Sequence, residues 1–511
     1  MSLKIQVKNT RHGNPGVSGW YAILPEAEPA RVLQEDITAD WLIIGGGFAG
    51  LSAARRLSQL RENESIVLLD SIRIGEGSSG RNSGFMIDLP HDISTDSYAG
   101  AVEQDVLQTR KNRYAISFAA EVAEEYGFTQ EVFNPCGKIN AAASESGDRH
   151  NREYVEHLKA MGEASTWLDA AEMQRITGSE YYLSGLLTPK TVTIQAAAYT
   201  RGFARGMSEK VDIYEKTPVI ALERANGIWQ ARTPKGSVKA SKVILSVNGH
   251  LQSFGFMQSR LMHIFLYASM TRAMSTDEVN KLGGEPSWGV APANPFGSSV
   301  RKICGVGGHR ILMRNKFHFN SSMEATERDV QKSVSDHERS FQRRFPMLKG
   351  VEMEHRWGGR LCLSWNNVPV FGELEKNLFA ACCQNGLGVS KGTLSGMLAA
   401  EYACGFQNPY IEDYLNEAQP TRLPPEPFAT IGANAYLNWQ EWRAGLEKQT
   451  NSSCRILPLK STSFSLKEYF VPPEARVQAE FWSGSHSDHN GRFSRNTVSR
   501  TNYGSRPRHI D

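Results

Sequence analysis

The period of the apolar positions changes from segment to segment along this chain, and those periods predict its elements. Trp41–Ile44 is continuously apolar, as a buried strand is, and Ala49–Leu60 continues with the spacing of an amphipathic helix. Residues 65–70 (SIVLLD) add a second buried strand, closing a strand–helix–strand unit of about the minimum length for parallel pairing. Residues 96–184 and 196–207 are mostly helical in pattern. Alternating segments from 211 to 241 then predict a small antiparallel meander that returns to one buried strand, Lys242–Val247. Residues 253–354 mix strand-like stretches with a charged helix, and 378–404 give a strand, a glycine turn and a long helix of small residues. Residues 1–35 are polar and punctuated by Pro and Gly, so a surface arm is expected there. From residue 447 onward Ser, Asn, Arg and Gly dominate, and 447–511 are expected to form a basic, flexible tail.

Composition narrows the class. The chain has 511 residues, 40% of them hydrophobic, which is ample for a sizeable core and for about three domains. Its 57 basic side chains nearly balance its 54 acidic ones, so no nucleic-acid partner is expected. It has no apolar run of transmembrane length and no hydrophobic region of signal-peptide type at its start, so a soluble, cytoplasmic protein is expected. Seven cysteines, an odd number with no CxxC pair, fit a reduced compartment, and no metal site is expected.

The sharpest signal is Gly45-x-Gly47-x-x-Gly50, which follows a buried strand and opens a helix. Gly45 permits the tight turn, Gly47 lets the backbone approach a pyrophosphate, and Gly50 lets helix and strand pack closely. The helix start, with Phe48 and Ala49, offers N–H groups and partial positive charge to phosphates. Asp70, twenty residues beyond Gly50, is placed to accept from ribose hydroxyls; an acid there disfavours a 2′-phosphate. Two more segments favour FAD over a nicotinamide dinucleotide. One is the glycine- and hydroxyl-rich run from Gly75 to Gly84, including Ser78, Ser79, Gly80, Arg81, Asn82 and Ser83, whose backbone N–H groups suit an extended phosphate-bearing cofactor. The other is Asn385-Gly386-Leu387-Gly388-Val389, where a second helix start is suited to stabilise negative charge on a reduced flavin.

With IIGGGFAGLSAA, GSSGRNSGF, WGVAPANPFG, RILMRN, RWGGRLCLSWNNVPVFG and QNGLGVSKGTLSG in this order, the chain resembles the FAD-dependent D-amino acid oxidase superfamily. That superfamily includes glycine and sarcosine oxidases, and the likeness is greatest to its gamma-glutamylputrescine oxidase-like branch. The resemblance implies an α/β fold in which a Rossmann-like FAD domain (36–95, 185–252 and 355–446) is interleaved with a mixed-sheet substrate domain (96–184 and 253–354). It also implies Val219, Asn248 and Gly249 as further cofactor contacts. The implied chemistry is removal of hydride from an amine-bearing carbon, giving an imine that water hydrolyses, with the electrons passed on, often to O₂.

Arg81 and Asn82 are then read as cofactor contacts rather than loop-stabilising groups. Arg356 and Arg360 match the segment before the last FAD strand. Either can supply the bidentate fork for a substrate carboxylate, and either can instead sit in a structural ion pair. Arg301 and Arg314 are weaker candidates, and Trp365 and Tyr267 could line an apolar pocket. Lys302 and Lys391 are weighed for the role some relatives give a lysine near the flavin, promoting its reaction with oxygen. Two departures stand out: Leu387 lies where many relatives carry His, and Cys362 is a few residues from where some relatives attach flavin, so noncovalent FAD is expected. The leading expectation is an oxidase of a small-molecule amine or amino acid that releases hydrogen peroxide. The alternatives are a dehydrogenase with another electron acceptor and a catalytically silent flavoprotein subunit.

Overall fold

In the computed structural model, residues 3–10, 14–90 and 99–448 are described. Five parallel strands form the centre of a nine-stranded sheet: Asp212–Tyr214, Ile66–Leu69, Asp36–Ile44, Ser237–Leu245 and Leu378–Cys382, in that spatial order. Ranked by position in the chain, this is the order 3-2-1-4-5 of a doubly wound sheet, with a switch point between Asp36–Ile44 and Ser237–Leu245. The strands are buried on both faces, which is why Ile66–Leu69 is apolar throughout. On one face lie the helices Phe48–Leu60, Val102–Glu125, Ala196–Gly206 and Gly388–Cys404. The first and last of these pack unusually closely: a Cβ at Gly396 would fall 2.0 Å from the Ala49 carbonyl oxygen, so the small residues of the later helix serve this contact. The meander, with strands Ala221–Ala225 and Ile228–Arg232, extends the sheet, and Val370–Glu375 pairs antiparallel beyond the last parallel strand.

A second, mixed sheet has eight strands, in the order Met353–Ser364, Leu261–Thr271, Arg310–Phe319, Ser299–Ile303, Trp288–Pro292, Lys138–Ala142, Ser184–Thr188 and Thr166–Asp169. Only the pair Trp288–Pro292 and Lys138–Ala142 is parallel.

Four sequence expectations change here. Residues 1–35 are not a surface arm: Leu3–Gln6 pairs with the meander, and Trp20 and Leu33 are fully buried. The few apolar residues of this stretch lie too far apart to register as a period. Val102–Glu125 packs with the helices of the parallel sheet although it lies in the segment expected for the substrate layer. Met353–Ser364 edges the second sheet, so the chain returns to the first only after it. Finally, Glu447 and Lys448 are buried, with the Glu447 carboxyl accepting from Ala143 N (2.9 Å) and Ser144 Oγ (2.8 Å). The described chain therefore runs past the expected start of the tail, whose remainder lies outside the described residues. Among the described residues, no helix is long and apolar enough to cross a membrane.

Candidate functional site

At the switch point, a cleft of about 1040 Å³, counting its open mouth, runs along the C-terminal ends of the parallel strands. Two of the fingerprint glycines are demanded by packing. Gly45 has φ +107° and its Cβ would lie 2.7 Å from Ser246 O, while a Cβ at Gly50 would lie 1.8 Å from Gly45 O. At Gly47 the near neighbour is Ser79 Oγ, 2.6 Å from a built Cβ, and this hydroxyl accepts from Phe48 N at 3.2 Å. Neither N-cap residue, Gly47 nor Leu387, caps its helix through a side chain, and beyond Phe48 N no side chain takes up the first N–H groups of the Phe48–Leu60 helix. Two helix N-termini thus retain N–H groups that an anionic ligand satisfies.

Asp70 closes the end of the second strand. Its carboxylate accepts from Gly46 N (2.7 Å) and Ile72 N (2.9 Å), and burial raises its pKa to about 6. The Ser71 side chain also bonds this carboxylate, whose remaining lone-pair capacity suits a ribose hydroxyl. Ser78, Ser79, Val219, Asn248 and Gly249 line the same cleft, and Asn248 Oδ1 accepts from Cys383 N at 3.0 Å.

The side chains of Arg81 and Asn82, read from the sequence as cofactor contacts, are engaged in hydrogen bonds that stabilise their own loop. Arg81 donates to four backbone carbonyls, Glu76 O (2.7 Å), Pro15 O (3.1 Å), Gly358 O (3.0 Å) and Gly16 O (2.8 Å). Four of its five donors are spent pinning the loop to the N-terminal segment and the second sheet. Asn82 is likewise turned inward, donating to Ser79 O and accepting from Gly84 N. Gly80 is buried within the same loop, and Ser83, beside it, does not line the cleft.

The two candidate anchors separate. Arg360 lines the cleft, buried, donating to His250 Nε2 at 2.7 Å, and its Nε has no partner. Burial lowers its pKa to about 10, so it remains charged at neutral pH. Arg356 is instead paired with Glu338 (2.7 Å) and donates to Met353 O. Arg301 ties two layers together through Gly84 O and Ile194 O, and Arg314 donates to Ser299 Oγ. Strand alternation sends Lys302 to the face opposite Arg301, where it donates to Gly283 O at 2.7 Å, so it is not brought to the cleft. Lys391 lies half-buried beside Glu417, whose carboxyl feels its charge. Tyr267 is a core residue of the second sheet, its hydroxyl pushed up by burial, and Trp365 is half-buried. The Cys362 thiol is raised well above its ordinary value, first by its contact with Cys383 and then by burial.

The Asn385–Val389 turn bridges both sheets. Asn385 Oδ1 accepts from Ser364 N (2.8 Å) on the edge of the second sheet, and Leu387 packs against Phe85 and Ile87. Val389 faces the core. A Cβ built at Gly386 or Gly388 meets no heavy atom within 4 Å. Beside this turn, Gln384 is 7% exposed and both atoms of its amide are buried without a partner. No sequence motif singled it out, although a polar residue directly after the apolar run 378–383 is a usable signal. Open space at two glycines, two uncapped helix starts and an orphaned amide fit an extended phosphate-bearing cofactor. Among the described residues, no cluster of three or more His, Cys, Asp or Glu is arranged to hold a metal.

Comparison with known proteins agrees with this geometry. A family model described as DAO, FAD dependent oxidoreductase, matches residues 40–402. The chain is 26% identical over 403 residues to a probable oxidoreductase, OrdL, of Rhizobium meliloti, covering 77% of this chain and 89% of that protein. It is 25% identical over 398 residues to gamma-glutamylputrescine oxidoreductase of Escherichia coli, covering 74% and 86%. The solved glycine oxidase of Geobacillus kaustophilus shares its fold, with a TM-score of 0.61 at 17% identity over 76% of this chain and 100% of that one.

Proposed function

The chain belongs to the FAD dependent oxidoreductase family, with FAD as cofactor, and from that premise we propose that it oxidises the carbon–nitrogen bond of a small amine or amino acid. The carbon loses a hydride and the nitrogen a proton to give an imine, which water hydrolyses to a carbonyl compound and an amine or ammonia. The electron pair ends on O₂, which leaves as hydrogen peroxide. When bound, the cofactor supplies the electron-pair acceptor for this oxidation.

The observation that carries this reading is the Asn385–Gly388 turn. It presents an uncapped helix start and open space, and it is tied to the second sheet. The similarity to gamma-glutamylputrescine oxidoreductase and glycine oxidase, both named for amine-bearing donors, supports the donor class.

The chain's own groups have separable roles. The starts of the Phe48–Leu60 and Gly388–Cys404 helices stabilise negative charge, and Asp70 accepts from ribose hydroxyls. Leu387, with Phe85 and Ile87, forms an apolar wall that excludes water and favours the uncharged amine from which hydride leaves. Arg360, charged, buried and bearing no carboxylate in its hydrogen bonds, offers the anchor for an anionic group entering the cleft.

The test is anaerobic mixing of the purified yellow protein with candidate amines, which should bleach the flavin absorbance. Admitting air should restore it with one peroxide per amine consumed. Bleaching without peroxide, relieved only by an artificial acceptor, refutes the oxidase assignment; a flavin that no amine bleaches refutes the donor class.

A further inference from the structure

Gln384 occupies an unusual position for a buried carboxamide. It is 7% exposed, and neither Nε2 nor Oε1 has a hydrogen-bond partner. Buried amides are almost always satisfied, so two orphaned ends on one side chain point to a ligand that completes them.

The backbone on either side is held firmly. Cys383 (φ +58°) and Asn385 (φ +48°) lie in the left-handed region, a conformation that a residue with a side chain keeps only where its surroundings impose it. Two long-range bonds do so: Cys383 N donates to Asn248 Oδ1 (3.0 Å), and Asn385 Oδ1 accepts from Ser364 N (2.8 Å). These restraints aim the Gln384 side chain at one place. The Cβ position of Gly392 lies 3.9 Å from Gln384 Cγ, 3.4 Å from Phe48 Cβ and 3.8 Å from Ala49 N. The amide therefore stands where the starts of the Phe48–Leu60 and Gly388–Cys404 helices converge.

We propose that the Gln384 carboxamide is a direct ligand of FAD, binding its ribityl–phosphate stretch at the convergence of these two helix starts. A carboxamide needs an acceptor for its N–H₂ and a donor for its oxygen. Phosphate oxygens supply only the first, whereas a polyol adjoining a phosphate supplies both. The inference rests on the FAD assignment and is independent of which amine is oxidised.

The experiment uses the full chain as wild type, Gln384→Leu and Gln384→Glu, with FAD release on dilution followed by flavin fluorescence and melting followed with and without added FAD. Gln384→Leu should raise the FAD Kd about tenfold or more. It should also melt at or above wild type when FAD is absent, because an unsatisfied amide has been removed. Gln384→Glu, nearly isosteric, should bind FAD more weakly still, since a carboxylate faces phosphate. An unchanged FAD Kd in both variants overturns the proposal while leaving the cofactor assignment intact. A Leu variant that melts lower without FAD and binds FAD as wild type does identifies a packing residue and equally overturns it. A wild-type protein that takes up no FAD removes the cofactor assignment itself.

Discussion

Replacing Gly50 by alanine puts a methyl carbon 1.8 Å from the Gly45 carbonyl oxygen and 2.6 Å from Ser246 Oγ. Ordinary contact begins near 3.4 Å, so the start of the Phe48–Leu60 helix must withdraw by about 1.6 Å. The neighbour it meets is backbone inside the tight turn, which has little freedom to yield. Overpacking of this kind costs about 1–3 kcal/mol, and at roughly 2–4 °C per kcal/mol for a large domain the melting temperature should fall by about 2–12 °C. The same displacement moves the phosphate-facing N–H groups, and misplacement by about 1 Å can cost on the order of a hundredfold where geometry is exacting. Gly388→Ala is the informative partner: its Cβ meets no atom within 4 Å and its φ is not positive. It should melt like wild type without FAD yet bind FAD more weakly, because the methyl group enters the cofactor's cradle. Melting curves with and without FAD, together with FAD content after gel filtration, distinguish the two variants. If Gly50→Ala keeps wild-type melting and FAD content, or if Gly388→Ala binds FAD normally, the description of the cleft is wrong.

Other outcomes follow from the same contacts. Arg360→Lys keeps charge but loses the fork, and losing charge-assisted hydrogen bonds of about 1.5–3 kcal/mol should lower kcat/KM by roughly one to two orders of magnitude; because Arg360 lines the cofactor's cleft, a parallel fall in FAD content would instead assign it to the cofactor. Arg356→Lys, in a partly exposed pair with Glu338, should leave kcat/KM unaltered; the reverse result exchanges their roles. Burial raises the Glu447 pKa from 4.5 to about 7, so the folded state holds a proton that the unfolded state releases. Stability contributed by this group is therefore full below about pH 4.5, falls by about 3 kcal/mol as pH rises to 7, and is level above that. Glu447→Gln should flatten the decline in a pH series of melting curves, and an unchanged slope would show that Glu447 does not titrate there.

What the sequence revealed was what is local. The fingerprint turn, its helix and Asp70 are neighbours in sequence as well as in space, so their spacing carries their geometry. The hydrogen bonds of the Arg81 side chain were not legible because three of its four carbonyl partners, Pro15, Gly16 and Gly358, lie far away in the chain. Alternation places Arg301 and Lys302 on opposite faces of a strand, but only the packed sheet shows which face looks toward Gly84. Arg356 and Arg360 share one strand, and tertiary neighbours alone separate the ion-paired residue from the cleft-lining one. The burial of Trp20 within a polar, Pro-punctuated stretch has no periodic signature at all.

The interleaving of the two sheets also sets an order of events during synthesis. The Phe48–Leu60 helix is made early, yet the helix it packs against begins at Gly388, so 338 residues separate Gly50 from that partner. At roughly 5–20 residues per second, the later helix leaves the ribosome about 17–70 s after the earlier one. Throughout that interval the apolar flank around Ala49, Ala53 and Leu57 lacks its cover, and once Ser237–Leu245 has been made its edge stays open for the 133 residues up to Leu378. The nascent chain thus spends most of its synthesis with an uncovered helix, and the later part of that time with an open strand edge as well, two surfaces prone to misassociate. Slower, cooler expression with flavin in supply should raise the yield of holoprotein more than the yield of total chain.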